Sequence, residues 1–107
     1  MQRLLFICSQ NRMRSPTAEL LFRVQPNLET RSAGLGDEAE KPLTVAAMEW
    51  ADLIFVMEET HKRKLTQRFA RQLKGKRVIC LDIPDIYAYM DPELIQLLLD
   101  KVSPFLK

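Results

Sequence analysis

Apolar positions come in two rhythms along this chain. Leu4-Leu5-Phe6-Ile7 within Arg3–Cys8, Leu53-Ile54-Phe55-Val56-Met57 and Val78-Ile79-Cys80-Leu81 are short uninterrupted runs. Runs of that length without alternation predict strands buried on both faces. Leu28–Ala33, closed by Gly34 and Gly36, predicts a further short strand. Between these runs the apolar residues recur at helical spacing. Pro16 to Val24 reads as a helix with Pro16 at its first position and Ala18, Leu21 (or Leu20) and Phe22 inward. A second helix is predicted from Pro42 through Val45, Ala46, Met48 and Glu49, with Gly34 to Lys41 as the loop before it. Glu58 to Leu73 reads as a third helix, with Leu65, Phe69 and Leu73 on one face, Lys and Arg on the other, and Gly75 just past its end. Asp91-Pro92 starts the last one, as N-cap and first helical residue, with Leu94, Leu98, Val102 and Phe105 as its apolar stripe.

Strand then helix, four times over, predicts an α/β three-layer sandwich around a parallel sheet with helices on both faces, as a single domain over residues 1–107. In such sheets a ligand sits beyond the carboxyl ends of the strands. Two loops meet that condition and carry reactive side chains: Cys8 to Ser15 and Asp82 to Tyr89.

Composition changes this picture little. A hydrophobic fraction of 47% and a charged fraction of 28% are those of an ordinary globular domain. A net charge of +2 does not repel an anionic substrate and falls short of a dedicated nucleic-acid binder. The basic stretch around His61-Lys62-Arg63-Lys64 reads as the wet face of an amphipathic helix, and its lone histidine as a surface residue. Two cysteines far apart, with no apolar leader, predict reduced thiols and a cytoplasmic setting with no membrane contact.

The informative segment is Cys8-Ser9-Gln10-Asn11-Arg12-Met13-Arg14-Ser15-Pro16. It leaves a buried strand and enters a helix. Successive backbone N–H groups in such a turn can curl around one tetrahedral anion, aided by the helix N-terminus. The same surroundings favour the thiolate of Cys8. Arg14 can grip two phosphoryl oxygens with its planar fork, and Ser15 can donate a hydrogen bond to the sulfur.

The run from Phe6 to Glu19 resembles the phosphate-binding loop of the low-molecular-weight protein tyrosine phosphatases: an apolar strand, Cys, two residues, Asn, two residues, Arg-Ser-Pro, then Ala-Glu. Arg31-Ser32-Ala33-Gly34 is similar to that family's Ser-Ala-Gly strand end, and Asp52-Leu53-Ile54-Phe55-Val56-Met57-Glu58 to its Asp-Leu-Ile-x-x-Met-Asp strand. The resemblance implies a four-stranded parallel sheet in the order 2-1-3-4. It also implies phosphomonoester hydrolysis without metal or other cofactor, through a phosphocysteine on Cys8. Arg14 would clamp the phosphate, and Ser9, Gln10, Asn11, Arg12, Met13 and Ser15 would shape the loop. The partner is then a phosphorylated substrate, a phosphotyrosine protein or a small aryl phosphate.

The family places a general acid just after the fourth strand, in an Asp-Pro-Tyr setting. Here Asp85-Ile86-Tyr87 aligns with it, which makes Asp85 the candidate acid, with Asp82 as the rival; Tyr87 and Tyr89 are candidates for one pocket wall or for plain packing at the loop surface. Asp91-Pro92 copies the dipeptide but reads as a helix cap. The chain departs from the pattern in several ways. The segment between Gly34 and Asp52 is short and lacks the histidine that buttresses the family's loop, a role the sequence does not give to His61. Met13 replaces the second loop cysteine, Gln10 a small residue, Arg12 an apolar one, and Ile86 the proline. Two alternatives follow. One is a phosphate-binding module with weak or no turnover. The other is an arsenate reductase, for which Cys80 is the sole further thiol.

Overall fold

The computed structural model describes residues 1–106. The elements are β1 (Gln2–Cys8), α1 (Arg14–Arg23), β2 (Leu28–Gly34), α2 (Val45–Trp50), β3 (Leu53–Val56), α3 (Glu59–Arg68), α4 (Ala70–Leu73), β4 (Arg77–Cys80) and α5 (Pro92–Val102), with a closing turn of 3-10 helix at Ser103–Phe105. The four strands form one sheet in the order β2-β1-β3-β4, every pair parallel. The register sets Cys8 opposite Gly34, Ile7 opposite Val56, and Val56 opposite Cys80. All four strands therefore finish along one edge, and the chemistry lies in the loops that leave it.

The unbroken apolar run of β1 is explained by a core on each face. Leu4, Phe6 and Cys8 join Ala18 and Phe22 of α1 and Leu94, Leu98 and Val102 of α5. Leu5 and Ile7 point the other way, into Met48 of α2, Leu65 of α3 and Phe69. Phe6 stacks between Phe22 (5.7 Å between centroids) and Phe55 (5.2 Å). Truncating a buried phenylalanine of this kind costs about 3–5 kcal/mol. Trp50 packs half-buried on the second cluster, with the Arg31 guanidinium 4.3 Å above its ring.

Three boundaries depart from the sequence pattern. α1 begins at Arg14, two residues before Pro16, so the arginine belongs to the first helical turn. α2 begins at Val45, because Pro42 bridges Gly34 and Leu43 N–H donates to Gly34 O (3.0 Å), which ties that stretch to the end of β2. Thr44 then caps the helix, accepting from Ala47 N–H at 3.1 Å. The expected helix from Glu58 to Leu73 breaks at Phe69 (φ −129°, ψ 34°), whose side chain is buried in the second core while Arg68 donates to Leu35 O at 3.0 Å. Lys76, between α4 and β4, crosses to the end of α2 and donates to Glu49 O (3.0 Å) and Ala51 O (2.6 Å).

Candidate active site

Between Cys8 and Arg14 the backbone is drawn outward on one side. Leu35, Gly36 and Glu40 N–H donate to the carbonyls of Cys8, Ser9 and Gln10 at 3.0, 2.8 and 3.0 Å. Three carbonyls of the turn are thus held by the β2–α2 loop. Among the described residues, no backbone acceptor takes the amides of residues 10–13. Asn11 makes the turn possible. It sits at φ 57°, a left-handed conformation that asparagine tolerates better than most side chains. The supporting loop must come close, and glycine lets it. A Cβ on Gly34 would meet Ala39 Cβ at 2.6 Å and Ser9 O at 2.7 Å, and one on Gly36 would meet the Gln10 side chain at 2.7 Å.

A concavity of about 210 Å³ is lined by Cys8, Ser9, Gln10, Arg12, Met13, Arg14 and Asp85. Cys8 Sγ lies 2.9 Å from Ser15 Oγ, and Asn11 Nδ2 donates to the same oxygen at 2.8 Å. Either the thiol or the hydroxyl can donate in that contact, and toward an ionised sulfur the Ser15 hydroxyl is the donor. Asn11 and Ser15 thus stand behind the cup, buried, rather than on its surface.

Arg14 is 2% exposed, which is unusual for an arginine. Its Nη1 donates to Glu58 Oε2 and to Ile83 O, both at 2.7 Å. Both Nη1 hydrogens are thereby spent on anchoring, and the Nε–Nη2 edge is left for an anion. Asp85 Oδ1 is 3.7 Å from Nε, beyond hydrogen-bond distance, and the residue is 66% exposed.

His61 is where the structure overturns the expectation from sequence. It is 3% exposed, not a surface residue. Its Nε2 lies 2.9 Å from Ser9 Oγ, and its Nδ1 accepts from Glu58 N–H at 3.2 Å. Glu58 and His61 form a reciprocal cap on α3, each side chain meeting the other's backbone N–H. Burial lowers the His61 pKa below the usual 6.5, helped by the Arg14 cation. A histidine does buttress this loop, from the start of α3. Glu58, His61 and the Ile83 carbonyl were not legible as loop supports. The Glu-x-x-His spacing directly after β3 was the available signal, but glutamate is not among the favoured N-cap residues.

The candidate acids separate. Asp85 lines the cup. Asp82 (φ 52°) accepts from Cys80 Sγ at 3.3 Å and borders a different cavity, with Glu58, Glu59 and Pro84. Asp91 caps α5, accepting from Glu93 N–H at 2.9 Å. Tyr87 is half-buried against the core face of α1 and α5 and does not line the cup. Tyr89 instead lines a larger neighbouring cavity, about 620 Å³, with Asn11, Arg12, Met13, Pro16, Glu40 and Lys41. Arg12 and Met13 form the ridge shared by both cavities, and Arg12 Nε is 3.8 Å from Glu40 Oε1. Glu59, Cys80 and Asp82 bring three potential metal ligands within 4.8 Å of one another, yet none of them lines the cup. Burial pushes the Cys80 thiol up to about 11, which keeps it protonated and a poor ligand.

No family model matches the sequence. A protein-arginine-phosphatase of Bacillus subtilis (strain 168) is 30% identical over 95 residues, covering 64% of this chain and 63% of that protein. The chain thus spans less than two thirds of the length of that curated relative. The tyrosine phosphatase Wzb from Escherichia coli K30, solved in complex with phosphate, superposes with a TM-score of 0.76 at 26% identity, covering 97% of this chain and 95% of that one. The low molecular weight protein tyrosine phosphatase SP-PTP from Streptococcus pyogenes shares the fold, with a TM-score of 0.78 over 100% of this chain and 95% of that one at 17% identity. In sheet order and in the turn from β1 into α1, this chain shares its fold with solved low-molecular-weight tyrosine phosphatases and is similar to them.

Proposed function

We propose that the protein hydrolyses phosphomonoesters through a phosphocysteine intermediate, with aryl phosphates such as phosphotyrosine as substrates. The observation that carries this reading is that Cys8, Arg14 and Asp85 line one small cup, three of whose backbone carbonyls are held by the β2–α2 loop. The phosphoryl group sits among the amide hydrogens of the turn and the Nε–Nη2 edge of Arg14. The Cys8 thiolate attacks phosphorus, and the bond to the leaving oxygen breaks as Asp85 gives that oxygen its proton. A water then attacks the phosphocysteine. Asp85 takes its proton, inorganic phosphate leaves, and the thiolate returns, held by the Ser15 hydroxyl. Charge developing on the equatorial oxygens meets donors already in place, the condition under which electrostatic stabilisation is most effective.

The rim favours an aryl over a guanidino leaving group. Met13 and Tyr89 are exposed apolar surface lining the cup and its neighbouring cavity. Arg12 sets a cation on the ridge, where it would repel the guanidinium of phosphoarginine. Phosphoarginine is the competing substrate, because the Bacillus subtilis relative is a protein-arginine-phosphatase. Arsenate reduction is disfavoured, since Cys80 lies outside the cup and its raised pKa withholds the thiolate a relay needs. Turnover of an aryl phosphate and of a phosphoarginine peptide by the purified protein tests the reading. Turnover of the aryl ester that Cys8→Ser abolishes is expected. Turnover surviving that substitution contradicts the mechanism, and phosphoarginine as the better substrate contradicts the specificity.

A further inference from the structure

We propose that His61 is a positioning residue for the phosphate loop, aiming the Ser9 hydroxyl proton at a phosphoryl oxygen, and that it does so only as the neutral ring. The proposal rests on the phosphate-binding reading of the cup and extends it to a donor that backbone geometry alone does not supply.

A neutral imidazole carries one N–H, and its other nitrogen accepts. His61 Nδ1 faces the Glu58 N–H at 3.2 Å, a group that can only donate. The ring proton therefore resides on Nε2 and is donated to Ser9 Oγ, 2.9 Å away. With its oxygen taken as acceptor, Ser9 has its own proton to give. Ser9 lines the cup beside Cys8 and Arg14, so an anion there is the acceptor within the same cavity. Without His61 the hydroxyl is free to rotate and to accept instead.

The same bonds couple the two anion contacts. The Glu58 that caps α3 with His61 also anchors Arg14 through Oε2 at 2.7 Å. A second proton on the ring would have to go on Nδ1, where it would point at the Glu58 N–H and break the cap. Around the ring, Arg14 and Lys64 disfavour that proton, while Glu58 and Asp85 favour it; burial adds to the first side and holds the pKa below the usual 6.5. At neutral pH the ring is neutral and the hydroxyl is aimed. As pH falls through the lowered His61 pKa, that aim and the cap are lost together.

The chain has a single histidine, so its ring nitrogens can be followed without ambiguity. Nitrogen NMR of the intact protein is expected to show the Nε2–H tautomer at pH 7, and a ring pKa below 6.5. Affinity for inorganic phosphate, measured by calorimetry, is expected to fall about tenfold in Ser9→Ala and about tenfold in His61→Phe, with the double variant no worse than either. His61→Gln can still donate to Ser9 and accept from Glu58, so it should restore affinity to within about threefold and remove the loss of affinity at low pH. An Nδ1–H tautomer, multiplying losses in the double variant, or unchanged affinity in Ser9→Ala would overturn the proposal. Should His61→Phe not fold, the tautomer and Ser9→Ala still decide it. Coupled phosphate binding without turnover would leave this assignment standing and sink the phosphatase reading. Turnover with uncoupled losses would do the reverse.

Discussion

The two loops that leave the strand ends are built on opposite plans. The turn from Cys8 to Ser15 is braced on every side: three carbonyls by the β2–α2 loop, Arg14 by Glu58 and Ile83 O, Ser9 by His61. The stretch from Pro84 to Tyr89 is mostly exposed, with Ile86 at 75% and Asp85 at 66%. It is pinned mainly at its ends, where Ile83 N–H donates to Met57 O (2.9 Å) and Met90 N–H to Thr17 Oγ1 (2.9 Å). Both ends turn through left-handed residues, Asp82 at φ 52° and Met90 at φ 61°. An anion of fixed tetrahedral shape is best held by donors that do not move. A leaving group that differs between substrates is better met by a loop that can adjust, provided one carboxyl reaches the leaving atom.

Substitutions that strip the braced turn of its chemistry should have the largest effects. Cys8→Ser is expected to abolish turnover of an aryl phosphate while phosphate still binds. In the exposed loop a single position should matter comparably. Asp85→Asn is expected to lower kcat by about 10²–10⁴-fold, whereas Asp82→Asn, outside the cup, should leave kcat within about twofold. An equal loss in both would break the contrast. Gly34→Ala is expected to unsettle the brace itself. Its Cβ cannot clear Ser9 O, so a stability loss of about 1–3 kcal/mol is expected, seen in the urea midpoint, with a parallel fall in kcat/KM. The smallest effect sharpens the comparison at the rim. Arg12→Ala should change aryl phosphate kcat/KM by only a few-fold but raise phosphoarginine turnover relative to it. A drop of both rates together would place Arg12 in the cup's chemistry instead.

A pH effect on stability follows from the brace as well. The folded-state pKa of His61 lies below its unfolded value, so the unfolded chain binds more protons as pH drops through that window. The stabilisation from the neutral ring is complete above about 6.5 and is lost as pH falls through the lowered value. The fall in urea midpoint between pH 7 and pH 5 should be smaller in His61→Gln than in the parent chain.

Local sequence carried the strands, because β1 and β3 are buried on both faces and their apolar runs have no competing reading. It carried the turn too, because Cys8, Asn11, Arg14 and Ser15 stand at fixed spacing between a strand and a helix. The supports were harder to see, since they come from distant parts of the chain. Glu58 meets Arg14 across 44 positions and His61 meets Ser9 across 52. A charged helix with one histidine gives no local sign that its first turn faces inward. The break at Phe69 was hidden for a related reason: Leu65, Phe69 and Leu73 keep helical spacing although tertiary packing bends the backbone between them. At Tyr87 and Tyr89 the local pattern could not say which ring would meet the core and which the rim.

The central claim is that phosphorus passes through the sulfur at the floor of the braced turn. Rapid acid quench of the Asp85→Asn protein during turnover of an aryl phosphate, followed by peptide mass spectrometry, tests it most directly. The account predicts one phosphoryl group on the peptide that carries Cys8, attached through the sulfur and lost on incubation with active protein and water. Turnover with that peptide unmodified at every quench time, or with the phosphoryl group on another residue, would contradict it.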